Sequence, residues 1–93
     1  MKNVEEIIKS GTATIIDVRT PAEFMGGHVN GSTNIPLSQI PEKLEYLKNK
    51  QNIVLCCASG NRSGQATDFL IENGIDCVNG GSWRQVNDNL ING

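Results

Sequence analysis

A cysteine, an arginine and a serine lie in one short, glycine-containing segment of this 93-residue chain. A thiolate is a nucleophile, and the backbone N–H groups of a tight loop can surround its sulfur. An arginine guanidinium presents a planar fork to an oxyanion. The segment therefore predicts a reactive thiol, Cys56 or Cys57. The substrate-binding residues would be those of the loop that follows: Ala58, Ser59, Gly60, Asn61, Arg62 and Ser63.

Two adjacent thiols can be counted from that arginine. Cys56 and Arg62 form C-x5-R, the signature of cysteine-dependent phosphatases and arsenate reductases. Cys57 and Arg62 form C-x4-R, a six-residue loop that suits a smaller or persulfide-sized group. Neighbouring residues of a strand point to opposite faces, so only one of the two thiols faces the loop. The spacing alone leaves both interpretations open.

Reactivity at neutral pH requires a stabilised thiolate. Lowering a thiol pKa from about 8.5 to about 6.5 takes roughly 2.7 kcal/mol. A helix N-terminus contributes about 0.3–1 kcal/mol, or up to about 2 kcal/mol in a favourable site. We therefore expect the loop N–H groups and Arg62 to supply much of the remainder.

Alternating strand and helix patterns position this loop. Apolar, β-branched runs predict strands over 14–18, 33–35, 53–57 and 76–79. Apolar spacings of three and four predict helices over 3–10, 38–49 and 63–73, a helix after Thr20, and a last helix capped by Ser82 after a turn at Gly80-Gly81. This order predicts an α/β domain with a mostly parallel sheet of four or five short strands and helices on both faces. The loop after Cys57 then lies at the carboxyl end of a central strand, where open parallel sheets bind ligands.

Composition excludes several other classes. A net charge of −2 and a pI near 5.2 give no basic surface for nucleic acid. The longest apolar run, 53–58, is too short to span a membrane. The length fits one domain, 1–93, and not two. The first residues lack the apolar segment of a secretory signal, so we expect the protein in the cytoplasm. Three cysteines without a C-x2-C pair favour neither a disulfide framework nor a zinc site, and no metal or other cofactor is predicted.

Several segments together resemble the single-domain rhodaneses, the thiosulfate sulfurtransferases. The resemblance runs from Val4 to Trp83, through three motifs: 15–24, 24–36 and the loop 57–63. Asn30 and Ser32 replace the usual Pro and Ala of the second motif, and Trp83 follows Gly80-Gly81 two residues early. The segment before Val4 is also short for the family's first edge strand.

The resemblance implies a rhodanese-like three-layer domain and places the catalytic cysteine on Cys57. Its thiolate would take the outer sulfur of thiosulfate, release sulfite, and pass the persulfide sulfur to cyanide or a thiol. A protein acceptor, or a non-catalytic binding or sulfur-carrier module, remains open beside this interpretation. Asp17 and Arg19 are expected to form a buried pair, His28 a structural hydrogen bond, and Cys56 and Cys77 part of the core.

Overall fold

The computed structural model describes residues 4–92 and confirms the predicted α/β architecture. Four strands form one parallel sheet in the order β2-β1-β3-β4. They are β1 Thr14–Asp17, β2 Thr33–Asn34, β3 Ile53–Cys57 and β4 Cys77–Ser82. The α-helices are α1 Val4–Lys9, α2 Pro21–Met25, α3 Leu44–Lys48, α4 Asn61–Glu72 and α5 Trp83–Asn92, with a 3-10 segment at Leu37–Lys43.

The helices cover both faces of the sheet. On one face, α3 and α4 bury Leu47 and Leu70 against alternate strand residues such as Leu55. On the other face, α1 and α5 bury Ile8 and Val86 in a second cluster. All five residues of β3 are buried, as expected of a central strand covered on both sides.

Helix α2 begins with the predicted capping box. The Thr20 side chain accepts a hydrogen bond from the Glu23 N–H, and the Glu23 carboxylate accepts one from the Thr20 N–H. Pro21 suits the first helical turn, because it has no N–H and the N–H groups there have no acceptor within the helix. The capping box and this proline together start a short helix soon after β1 ends.

Most predicted boundaries differ by one residue from those of the structure, and three segments differ by more. Gly80-Gly81 belongs to β4 and is not a turn, because a register shift opposite Leu55/Cys56 lets the strand continue past the glycines. The segment predicted as one helix over 38–49 is a 3-10 turn followed by α3, with Pro41 inside the first part. Helix α4 begins at Asn61, two residues before the predicted start at Ser63. Residue 3 of the predicted first helix lies outside the described residues.

Within residues 4–92, none of the helices has the length and apolar character needed to cross a membrane.

Candidate active site

The Cys57 sulfur lies at the carboxyl end of β3, inside the loop predicted to hold it. Its Sγ accepts hydrogen bonds from the Gly60 N–H at 3.0 Å and the Ser63 N–H at 3.4 Å. The Ser63 hydroxyl oxygen is also 3.4 Å from this sulfur. Gly60 precedes α4 with φ +99°, a left-handed conformation that turns its N–H inward and that favours glycine. The loop therefore binds the sulfur mainly through backbone donors.

These contacts favour the thiolate. Burial of Cys57, which is 0% exposed, opposes its ionisation. Hydrogen bonds from the Ser63 hydroxyl and from the Ser63, Ser59 and Gly60 N–H groups outweigh burial and lower the pKa of the Cys57 thiol. Geometry and electrostatics thus both favour the ionised form of the Cys57 thiol.

The pKa values of the two other cysteines are raised, whereas that of Cys57 is lowered. Cys56 points into the second core cluster, and burial, together with the nearby Asp17 carboxylate, raises its pKa to about 12. Burial raises the pKa of Cys77 to about 11, and its thiol donates to the Thr67 carbonyl at 3.7 Å. Both are core residues, as predicted.

The Arg62 guanidinium, which is expected to help stabilise the Cys57 thiolate, is bound by a carboxylate of α2. Its guanidinium donates two hydrogen bonds to the Glu23 carboxylate, at 2.7 and 3.0 Å. Because Glu23 is fixed by the capping box of α2, it holds the Arg62 guanidinium toward α2. The charge of Arg62 still acts over distance, since a Cys57 thiolate is among the anions that raise the pKa of Arg62, after Glu23 itself.

The remaining loop residues take different positions. Ala58, Ser59 and Asn61 are exposed around the mouth, whereas Ser63 is fully buried beneath it. The Ser59 N–H lies close enough to support the thiolate, but its side chain faces outward. The rim therefore offers polar side chains to an incoming molecule, and the interior offers N–H groups.

One residue of the site was missed by the sequence analysis. Asn79 on β4 accepts a hydrogen bond from the Ser63 hydroxyl at 2.7 Å and donates one to the Gly60 carbonyl at 3.0 Å. Its Oδ1 also accepts from the Gly81 N–H at 3.0 Å. Asn79 lies inside the predicted strand over 76–79. Only the pairing of β4 with β3, which the sequence did not specify, places it beside the loop.

The residues around the neighbouring strand end act structurally, as predicted. Arg19 donates to both carboxylate oxygens of Asp17, with a shortest distance of 2.8 Å, and both residues are buried. Arg19 also donates to the Gly27 carbonyl and lies over the Trp83 ring. His28 stacks on Phe24, and its Nδ1 is 2.8 Å from the Phe24 carbonyl oxygen.

No group of metal-ligating side chains occurs among the described residues. The site offers one thiol whose ionised form is stabilised by a loop of N–H donors.

Comparison with protein families gives one match along most of the chain. The model of the rhodanese-like domain matches residues 1–86. A thiosulfate sulfurtransferase of Escherichia coli is 35% identical over 74 residues, which are 76% of this chain and 71% of that protein. An uncharacterised Bacillus subtilis protein is 42% identical over 75% of this chain, but this chain spans only 57% of its length. For a Synechocystis relative the share is 50%.

Solved structures give the same result. A rhodanese-related protein of Thermoplasma volcanium superposes with a TM-score of 0.77 at 33% identity, covering 92% of this chain and 87% of its own. A human single-domain sulfurtransferase gives a TM-score of 0.75 at 26% identity, covering 88% and 87%.

Proposed function

This chain belongs to the rhodanese family, and from that premise we propose that it is a sulfurtransferase that carries sulfane sulfur on Cys57. One observation carries the proposal: the Cys57 sulfur accepts N–H hydrogen bonds from Gly60 and Ser63 at the carboxyl end of β3. Such a loop stabilises a thiolate before reaction. It also stabilises the charged terminal sulfur of a persulfide afterwards.

The reaction needs two displacements. The Cys57 thiolate attacks the outer sulfur of thiosulfate, the S–S bond of the donor breaks, and sulfite leaves with the electron pair. Cys57 then carries a persulfide. Cyanide or a thiolate acceptor attacks its terminal sulfur and restores the Cys57 thiolate. No proton is transferred in either step with these anionic reactants, so no general base is required.

The C-x5-R alternative receives less support. A phosphatase or arsenate reductase of that spacing needs Cys56 as nucleophile and Arg62 directed at the bound oxyanion. Cys56 instead lies in the core cluster on the other face of β3, with its pKa raised to about 12. Arg62 is engaged by Glu23.

A purely non-catalytic binding module is also less well supported, because the loop lowers the pKa of the thiol at its centre. The proposal includes thiosulfate as the sulfur donor. It includes cyanide, a low-molecular-weight thiol or a protein thiol as the acceptor. Relatives that are named as sulfurtransferases support the same kind of reaction.

Intact-protein mass spectrometry tests the proposal. The protein is incubated with thiosulfate and then with cyanide, in parallel with Cys57→Ser, Cys56→Ser and Cys77→Ser. We expect the mass of one sulfur atom to appear on wild type, Cys56→Ser and Cys77→Ser, and to disappear with cyanide. Cys57→Ser should remain unmodified. An adduct that depends on Cys56, or no adduct on any version, would overturn the proposal.

A further inference from the structure

The buried Ser63 hydroxyl has two neighbours that can each take its single proton. Asn79 Oδ1 lies 2.7 Å away, and the Cys57 sulfur lies 3.4 Å away. A serine hydroxyl has one proton to donate and two lone pairs that accept. The shorter contact, to a carbonyl-type oxygen, takes the proton in this structure, and the Ser63 oxygen is left to accept from a Cys57 S–H.

Ionisation of Cys57 reverses this preference. When the thiol proton passes to water, the sulfur becomes an anionic acceptor, and the Ser63 hydroxyl gains a charge-assisted bond by turning its own proton toward it. Asn79 Oδ1 then loses its hydrogen bond from the Ser63 hydroxyl and keeps the one from the Gly81 N–H at 3.0 Å. The hydroxyl thus supports the thiolate only at the expense of its bond to Asn79.

We propose that Asn79 is a positioning residue that competes with the Cys57 sulfur for the Ser63 hydroxyl proton and so sets how readily the thiol ionises. The inference deepens the proposed function, on which its relevance to sulfur transfer rests. Asn79 has no hydrogen bond to the sulfur; its side chain binds the Ser63 hydroxyl, the Gly60 carbonyl and the Gly81 N–H. It acts through Ser63.

A merely structural role predicts a different outcome. The Asn79 Nδ2 donates to the Gly60 carbonyl, and Gly60 supplies an N–H to the sulfur. If Asn79 only held the loop together, its removal would loosen the N–H donors and raise the pKa of Cys57. If Asn79 competes for the proton, its removal frees the Ser63 hydroxyl for the sulfur and lowers that pKa.

Other charges act on the sulfur but do not change in this comparison. Cys56 and Arg62 interact electrostatically with it, and these two groups interact in turn with Glu23, Asp17 and Arg19. None of them is altered in the variants below, so their contributions cancel in a double-mutant cycle.

The test is the pH profile of Cys57 alkylation by iodoacetamide in protein without any sulfur donor. Asn79→Ala is compared with wild type, each with and without Ser63→Ala. We expect Asn79→Ala to lower the Cys57 pKa by about half a unit to one unit, the size of one hydrogen bond. In the Ser63→Ala background the same substitution should not lower it.

Asn79→Asp is a second variant, which we expect to shift the Cys57 pKa in the opposite direction. Its carboxylate binds the Ser63 proton more strongly, so the Cys57 pKa should rise, and by more in the presence of Ser63 than in its absence. Asn73→Ala is the matched control, because Asn73 is exposed at the far end of α4 and its side chain donates only locally, to the Phe69 carbonyl. It should leave the profile unchanged.

An increase in pKa for Asn79→Ala, or equal shifts with and without Ser63, would overturn the inference. Thermal unfolding of each variant confirms that the profiles come from folded protein. Because no sulfur donor is present, this result is independent of sulfur transfer. A protein that shows the expected profiles but takes no sulfur from thiosulfate would contradict the proposed function alone.

Discussion

Glu23 and Arg62 are joined by two hydrogen bonds, 2.7 and 3.0 Å long, that connect α2 to the first turn of α4. The same carboxylate accepts from the N–H and the hydroxyl of Thr20, which closes the capping box. One side chain therefore fixes the start of a helix and neutralises the cation of the loop that holds the Cys57 thiol. The position of Arg62 is set from outside its own loop.

Removing the charge of Glu23 should change how anionic donors reach Cys57. In Glu23→Gln, the amide still serves the capping box, but Arg62 is no longer neutralised. We expect the rate of persulfide formation with thiosulfate to rise about 2–10-fold at low ionic strength, and the gain to shrink as salt is added. The rate is measured by quenching the reaction at successive times and determining the persulfide fraction by intact-protein mass spectrometry. Glu5→Gln, an equal charge change at an exposed position of α1, should have little effect, and equal gains in both variants would contradict the prediction.

The same pair predicts an acid-sensitive contribution to stability. Hydrogen bonds from the Arg62 side chain and the Thr20 backbone lower the pKa of Glu23 from 4.5 to about 2. A carboxyl group with a lower pKa in the folded state stabilises the fold above its unfolded pKa and loses this effect as the pH falls toward its folded pKa. The difference in the free energy of unfolding between wild type and Glu23→Gln should therefore be constant above about pH 5 and should shrink between about pH 4.5 and 2. Urea titrations across that range measure it, and a difference that does not vary with pH would show that the pair adds nothing electrostatic.

Alkylation at neutral pH should single out one thiol. The loop lowers the pKa of Cys57, whereas burial raises those of Cys56 and Cys77 to about 12 and about 11. Brief treatment with iodoacetamide should give one adduct, assigned to Cys57 by peptide mapping, and none in Cys57→Ser. Modification of Cys56 in folded protein would show that β3 does not divide the two thiols as described.

Gly80 should tolerate no side chain. A Cβ at this position would lie 2.7 Å from Val54 Cγ1, 2.8 Å from Val86 Cγ2 and 3.1 Å from the Leu55 carbonyl oxygen. We expect Gly80→Ala to destabilise the protein by about 1–3 kcal/mol, because the overpacked core must shift. Gly26→Ala is the control, since Gly26 has φ −78° and its nearest neighbour would be 3.4 Å away. Chemical denaturation of both variants gives the comparison, and equal stabilities would contradict the prediction.

The sequence was sufficient for the parts of the fold that depend on local signals. The apolar run of β3, the capping box at Thr20 and the helix cap at Ser82 all have the predicted form, because each depends on residues close together in the chain. Strand alternation also placed Cys56 and Cys57 on opposite faces, and the two core clusters confirm this.

The parts that depend on distant residues could not be predicted. Arg62 was expected to help stabilise the thiolate, but its hydrogen-bonding partner Glu23 is 39 positions away in the chain and could not be anticipated. Gly80-Gly81 has the composition of a turn, and only pairing with β3 shows that the glycines continue a strand. Asn79 was missed for the same reason, since its neighbours Gly60 and Ser63 belong to another element.

The close approach of Gly60 to Gly81 fixes the backbone of the sulfur-binding loop and leaves the side chains at its rim free to vary. A Cβ on Gly60 would lie 3.3 Å from the Gly81 Cα, so loop and strand meet backbone against backbone. The N–H groups that hold the sulfur are thus positioned by main chain, while the exposed side chains of Ala58, Ser59 and Asn61 lie at the rim. A library randomised at those three positions could therefore be screened for new donors and acceptors on a scaffold whose sulfur-binding geometry does not depend on the residues being changed.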